Sequence, residues 1–107
     1  MTLYTKLNSQ GNDFILIDTN HVKRSITVDD IIYYSRRDKI GCDQFFIINP
    51  EDKDNVSCEV YNQDGSKACQ CGNGLRAVML YLNRKYNLLE TNLIVCDVSY
   101  EVEIHKD

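Results

Sequence analysis

The chain has 107 residues, a length that fits one small domain with a modest core. Its net charge is −4, with 12 Lys and Arg scattered among 16 Asp and Glu, which excludes the basic face of a nucleic-acid or anionic-membrane binder. The longest apolar run near the N-terminus, residues 14–17, is too short for a signal peptide or a membrane span, so a cytoplasmic protein is expected. In chain order, the first strand is expected over residues 3–8, followed by a turn at Gly11-Asn12 and a second strand over residues 14–18. Thr19-Asn20-His21 reads as loop. Thr27 and Asp30 have the spacing of a capping box, predicting a helix from Val28 to about Arg37 with Ile31 and Ile32 facing inward. Gly41 ends that segment. Residues 44–48 form a β-rich run closed by Asn49-Pro50, residues 51–55 a charged loop, and residues 57–63 an alternating strand ended by the tight-turn pair Asp64-Gly65. The run from Leu75 to Leu82 is apolar apart from Arg76 and predicts a helix buried on nearly every side, stopped near Asn87. Residues 93–97 and 100–104 read as a hairpin. Short strands with one amphipathic and one buried helix give an α+β class, a curved sheet wrapped around the buried helix.

The five cysteines, at 42, 58, 69, 71 and 96, are an odd number, unlike the even count of a secreted disulfide framework, and all are expected to remain reduced. Cys58 and Cys96 fall in strand-like runs and read as small core residues, and Cys42 as packed beside its turn. Cys69 and Cys71 form a C-x-C pair, whereas a zinc site commonly uses C-x-x-C and needs further ligands. His21 and His105 stand in no ligand pattern. No metal and no cofactor are expected.

Cys71-Gly72-Asn73-Gly74 heads the buried helix. The first N–H groups of a helix lack intrahelical partners and carry partial positive charge, which stabilises a thiolate and lowers its pKa from about 8.5 into a range of roughly 3.5–7.5. The same N–H groups can hold a carboxylate, and glycines there allow close ligand approach. A base and an anion clamp thus fall within a few residues, although a plain helix start with a buried cysteine fits the same pattern. Three more polar turns abut strands: Gly11-Asn12-Asp13-Phe14, Gly41-Cys42-Asp43-Gln44 and Tyr61-Asn62-Gln63-Asp64-Gly65-Ser66. Each alone is accounted for by turn chemistry.

Together, in this order and spacing, the four segments resemble the N-terminal half of diaminopimelate epimerase, whose members carry G-N-D-F, G-x-D-Q, N-x-D-G-S and C-G-N-G motifs. The resemblance covers nearly the whole chain. It implies a cofactor-independent isomerase that interconverts LL- and meso-diaminopimelate in lysine and peptidoglycan precursor synthesis, using one cysteine on each side of the substrate α-carbon. Cys71 matches one of these. Asn12, Gln44 and Asn62 match substrate-contacting positions, and Gly72 and Asn73 match positions holding the substrate carboxylate. The implied fold is two similar domains, each a sheet around a helix, with the site between them. Residues 1–107 would then form the N-terminal domain, with the second domain absent and this chain alone inactive. Lys6 to Gly11 lacks the family's usual His in the first motif, and no T-x-x-G stretch is evident near Cys96. Two other readings remain: another cofactor-independent amino-acid racemase, or a non-catalytic remnant that binds a ligand or partner. A homodimer would set two copies of Cys71 across one symmetric cleft.

Overall fold

The first two strands meet through a turn in which both central residues, Gln10 and Gly11, have positive φ. This is the backbone of a tight hairpin turn, and glycine at the second position makes it inexpensive. The computed structural model describes residues 4–22, 25–70 and 72–105. Leu3, expected to open the first strand, and Cys71 lie outside them. The strands are β1 (Thr5–Ser9), β2 (Asn12–Asp18), β3 (Gln44–Asn49), β4 (Asn55–Asn62), β5 (Lys67–Ala68), β6 (Glu90–Val95) and β7 (Val98–Glu103). The helices are α1 (Val28–Ser35) and α2 (Gly72–Tyr86). All strands join one mixed sheet in the order β1-β2-β3-β4-β6-β7, with β5 paired to β4.

Two parallel pairs, β2 with β3 and β4 with β6, are each bridged by a helix. Because β3 and β4 are antiparallel, β2 and β4 point in opposite directions. Right-handed crossovers from such strands put their helices on opposite faces, and the core divides accordingly. Phe14, Leu16, Phe46 and Ile48 pack with α2, whereas Ile15, Ile17 and Phe45 pack with Ile31 of α1. Residues 14–18 are buried without a break, as expected of a central strand covered on both faces.

The capping box forms as the sequence indicates. The Thr27 side chain accepts from the Asp30 N–H, and Asp30 accepts from the Thr27 N–H. The Asp64-Gly65 turn also forms, and Gly65 is required twice. Its φ is +85°, and a Cβ would come within 2.7 Å of Val28 Cγ1. Four expectations need correction. Ile31 is buried in the α1-side core, but Ile32, one position further round the helix, is turned away from the sheet and exposed. Thr19–His21 is a short 3-10 turn, capped by the Asp18 carboxylate. The final hairpin forms, but its strands begin earlier, and Cys96-Asp97 is the turn, with φ of 48° and 65°. Helix α2 touches β1, β2 and β7, so the sheet curls around it, yet it is not buried on every side. Gly72, Arg76, Leu80 and Arg84 form an exposed stripe at four-residue spacing.

Helix α2 is fixed near both ends. Gly74 lies on the Phe46 ring, where a Cβ would sit 2.2 Å from Cζ, and Phe46 stacks on Phe14 with centroids 5.0 Å apart. Toward its C-terminus, Tyr81 and Tyr86 donate O–H bonds of 2.7 and 2.5 Å to the buried Asp18 carboxylate at the end of β2. Burial, then the neighbouring carboxylate, pushes the Tyr81 phenol above its ordinary pKa, which keeps it a neutral donor.

Gly74→Ala should therefore lower the unfolding free energy by about 1–3 kcal/mol through overpacking against Phe46. Gly72→Ala, whose Cβ meets nothing within 4 Å, should stay within about 0.5 kcal/mol of the parent. Urea unfolding of the two variants checks this, and equal effects would contradict the packing role of Gly74.

Candidate active site

Strand β2 begins at Asn12 and β3 at Gln44, with Phe14 opposite Gln44 in register. The Gly74–Phe46–Phe14 stack brings the start of α2 over these strand ends. The result is an open cleft of about 350 Å³ lined by Asn12, Phe14, Gln44, Gln70, Gly72, Asn73 and Gly74. Four of the six residues singled out from the sequence, Asn12, Gln44, Gly72 and Asn73, thus share one cleft. Cys71 lies outside the described residues, but its neighbours Gln70 and Gly72 both line the cleft.

Asn62 stands opposite Gln44 in the β3–β4 register but outside the lining. Its Nδ2 donates to Ser66 Oγ at 3.1 Å within the Asn62–Ser66 turn, where Asp64 accepts from both the N–H and the hydroxyl of Ser66. The sequence reading missed Phe14, Gln70 and Gly74 as lining residues. Phe14 and Gly74 lie inside motifs already noted, whereas Gln70 is found only through space. Its carbonyl is 3.5 Å from Gln44 Nε2.

Gly72 and Gly74 serve different needs. Gly74 is the only residue small enough for the Phe46 contact. At Gly72 a side chain would enter open space, so packing gives no reason for glycine there. An unobstructed backbone at a helix start is the geometry that admits an anion to the N–H groups.

The cysteines divide differently from expectation. Cys69 and Cys96 form a disulfide with a Cα–Cα distance of 5.6 Å. Cys96 is a turn residue of the β6–β7 hairpin and not a core residue of a strand. The hairpin tip thereby holds the loop that leads through Gln70 into the cleft. Cys58 is buried in the α2-side core, as its strand position suggested. Cys42 is fully buried beside its turn, its Sγ 3.4 Å from Ser35 Oγ, and burial pushes its thiol pKa up. A thiol held protonated in this way is a poor nucleophile or base. Among the described residues, no group of three or more His, Cys, Asp or Glu is placed to hold a metal ion, and no helix is long and apolar enough to cross a membrane.

The model of the diaminopimelate epimerase family matches residues 4–104. The chain belongs to that family. It is 42% identical over 83 residues to the diaminopimelate epimerase of Brachyspira hyodysenteriae, covering 73% of this chain and 29% of that protein. It is 33% identical over 104 residues to the diaminopimelate epimerase of Bacteroides thetaiotaomicron, covering 96% of this chain and 39% of that one. The chain thus spans well under half the length of these relatives. Solved structures share the fold: a PhzF-family phenazine biosynthesis protein from Enterococcus faecalis (TM-score 0.73, 9% identity, 96% of this chain and 40% of that one) and a methylitaconate-delta-isomerase (TM-score 0.70, 13% identity, 97% of this chain and 60% of that one).

The disulfide closes a 27-residue separation, for which the chain-entropy treatment gives a stabilisation of about 3–4 kcal/mol. Urea unfolding with and without a dithiol reductant should show a loss of that order, absent in Cys96→Ser. Identical midpoints for the untreated and reduced parent would contradict the pairing.

Proposed function

We propose that the cleft binds the amino-acid end of diaminopimelate, and that this chain supplies one wall of a cofactor-independent epimerase site. The observation that carries this reading is the meeting of Asn12 and Gln44 with the open start of α2 at Gly72-Asn73. The N–H groups at the helix start receive the substrate carboxylate. The amide side chains of Asn12 and Gln44 orient the rest of the amino-acid group, with Asn62 at the outer rim beside Gln44.

Cys71 is in this reading one of two acid/base thiols. An amino-acid α-proton is weakly acidic, so its removal needs the developing charge stabilised where water is excluded. Positive potential at the helix start serves the carboxylate and favours the thiolate at once. The thiolate takes the α-proton and becomes a thiol. A second thiol on the opposite face gives a proton to the α-carbon and becomes a thiolate, so the centre inverts with no net change in protons. In this reading the opposing thiol and wall come from residues outside this chain, in keeping with its covering only 29% and 39% of the length of the two relatives. A single copy of this chain is accordingly expected to bind substrate without turning it over.

Titrating the labelled chain with meso-diaminopimelate while recording amide NMR spectra tests the reading. The expected result is shifts at the N–H groups of Gly72, Asn73 and Gly74 and at the side-chain amides of Asn12 and Gln44, preserved in Cys71→Ser. Absence of shifts there, or shifts confined to the acidic cleft around Asp54 and Glu90, would overturn it.

A further inference from the structure

A charged cluster lies behind the cleft, on the other face of the sheet. Residues alternate faces along a strand. Phe14 and Phe46 face α2, so Asp13 and Asp43, the neighbours of Phe14 and Gln44, fall on the α1 side. There the two aspartates lock the starts of β2 and β3 together. The Asp13 N–H donates to Asp43 Oδ2 at 3.0 Å, and the Asp43 N–H donates to Asp13 Oδ1 at 2.9 Å. Each aspartate also adjoins a cleft residue in sequence, Asn12 in one case and Gln44 in the other.

Two carboxylates this close repel unless a cation lies between them. Arg37 supplies it. Its guanidinium forks onto both Asp13 oxygens at 2.7 and 3.1 Å and reaches Asp43 Oδ1 at 2.9 Å. Lys6 adds an ion pair to Asp13 at 3.1 Å and donates to the Gly41 carbonyl. Gly41 fits this arrangement too. With φ of +80°, a Cβ there would sit 3.0 Å from Arg37 Cδ, so glycine leaves room for the arginine stem. A bidentate guanidinium fixes geometry in a way that a lysine does not.

We propose that Arg37, acting through Asp13 and Asp43, is a positioning residue that sets the spacing of the Asn12 and Gln44 side chains across the cleft. This rests on the reading of the cleft as a diaminopimelate site. Arg37 lies on the opposite face from the ligand and acts only through the two strand starts. The aspartates of the G-N-D-F and G-x-D-Q segments are thereby two halves of one device. Without the guanidinium, Asp13 and Asp43 push apart, and the amide pair opens with them.

The test compares this chain with Arg37→Gln, Arg37→Lys, and Arg36→Gln as control, since Arg36 loses the same charge from an exposed pair with Asp38. Side-chain amide signals of Asn12 and Gln44 are recorded with thermal midpoints and with meso-diaminopimelate titrations. Arg37→Gln should move both amide signals and weaken binding by roughly five- to tenfold, about the effect of one misplaced hydrogen bond. Arg37→Lys should fall between, and Arg36→Gln should match the parent. Adding Asp43→Asn to Arg37→Gln removes the repulsion and should recover part of the affinity; it also serves if Arg37→Gln alone does not fold. Unmoved amide signals and parental affinity in Arg37→Gln, or an equal effect from Arg36→Gln, would overturn the proposal. If the parent itself does not bind diaminopimelate, the reading of the cleft fails, and the amide signals still decide whether Arg37 sets the two side chains.

Discussion

The close seating of Gly74 on Phe46, with Phe46 stacked on Phe14, governs how the start of α2 meets the β2–β3 pair. No side chain larger than hydrogen fits between helix and ring. That one contact brings the open N–H end of a helix beside two strand ends carrying Asn12 and Gln44. Moving the helix outward by the width of a methyl group would separate the helix start from Asn12 and Gln44. Overpacked interiors respond by such shifts because they have no spare volume. The far end of α2, tied by Tyr81 and Tyr86 to the buried Asp18, keeps the helix from pivoting about that contact.

The sheet separates two tasks by face. The α2 side carries the cleft and what would touch a ligand. The α1 side carries the ionic cluster of Lys6, Asp13, Arg37 and Asp43, which fixes where the cleft residues start. The side-chain hydrogen bond from Arg37, with added contributions from Lys6 and from the Asp43 N–H, holds the Asp13 carboxyl well below the usual carboxylate range. Its stabilising effect is therefore complete above the unfolded value of 3.8 and is lost as pH falls below it. Neutral conditions leave this support intact. The third tie on the cleft, the Cys69–Cys96 disulfide, acts on the loop entering α2 and links its order to the hairpin at the far edge of the sheet.

Local rules were readable in the sequence wherever one residue settles its own surroundings. Thr27 and Asp30 announced the start of α1, and Asp64-Gly65 announced its turn. Four polar segments in register indicated the family and four residues of the cleft. Features that depend on distant partners were not readable. Cys96 looked like a core strand residue because nothing local shows that its hairpin tip reaches Cys69. Arg37 stood in a charged stretch with no pattern, and its partners lie 24 residues before it and 6 after it. Asn62 was grouped with the cleft residues by motif, but in the structure its amide serves its own turn. The exposed stripe of α2 could have been found from Arg76 and Arg84, which are two turns apart, but Leu80 between them hid it.

In the proposed function, the start of α2 activates Cys71 beside an amino-acid site. Alkylation rates across pH, mapped by mass spectrometry with and without meso-diaminopimelate, test it most directly. Cys71 should label faster near neutral pH than any other thiol, and diaminopimelate should slow its labelling. Faster labelling of Cys42 or Cys58, or a Cys71 rate indifferent to diaminopimelate, would contradict it.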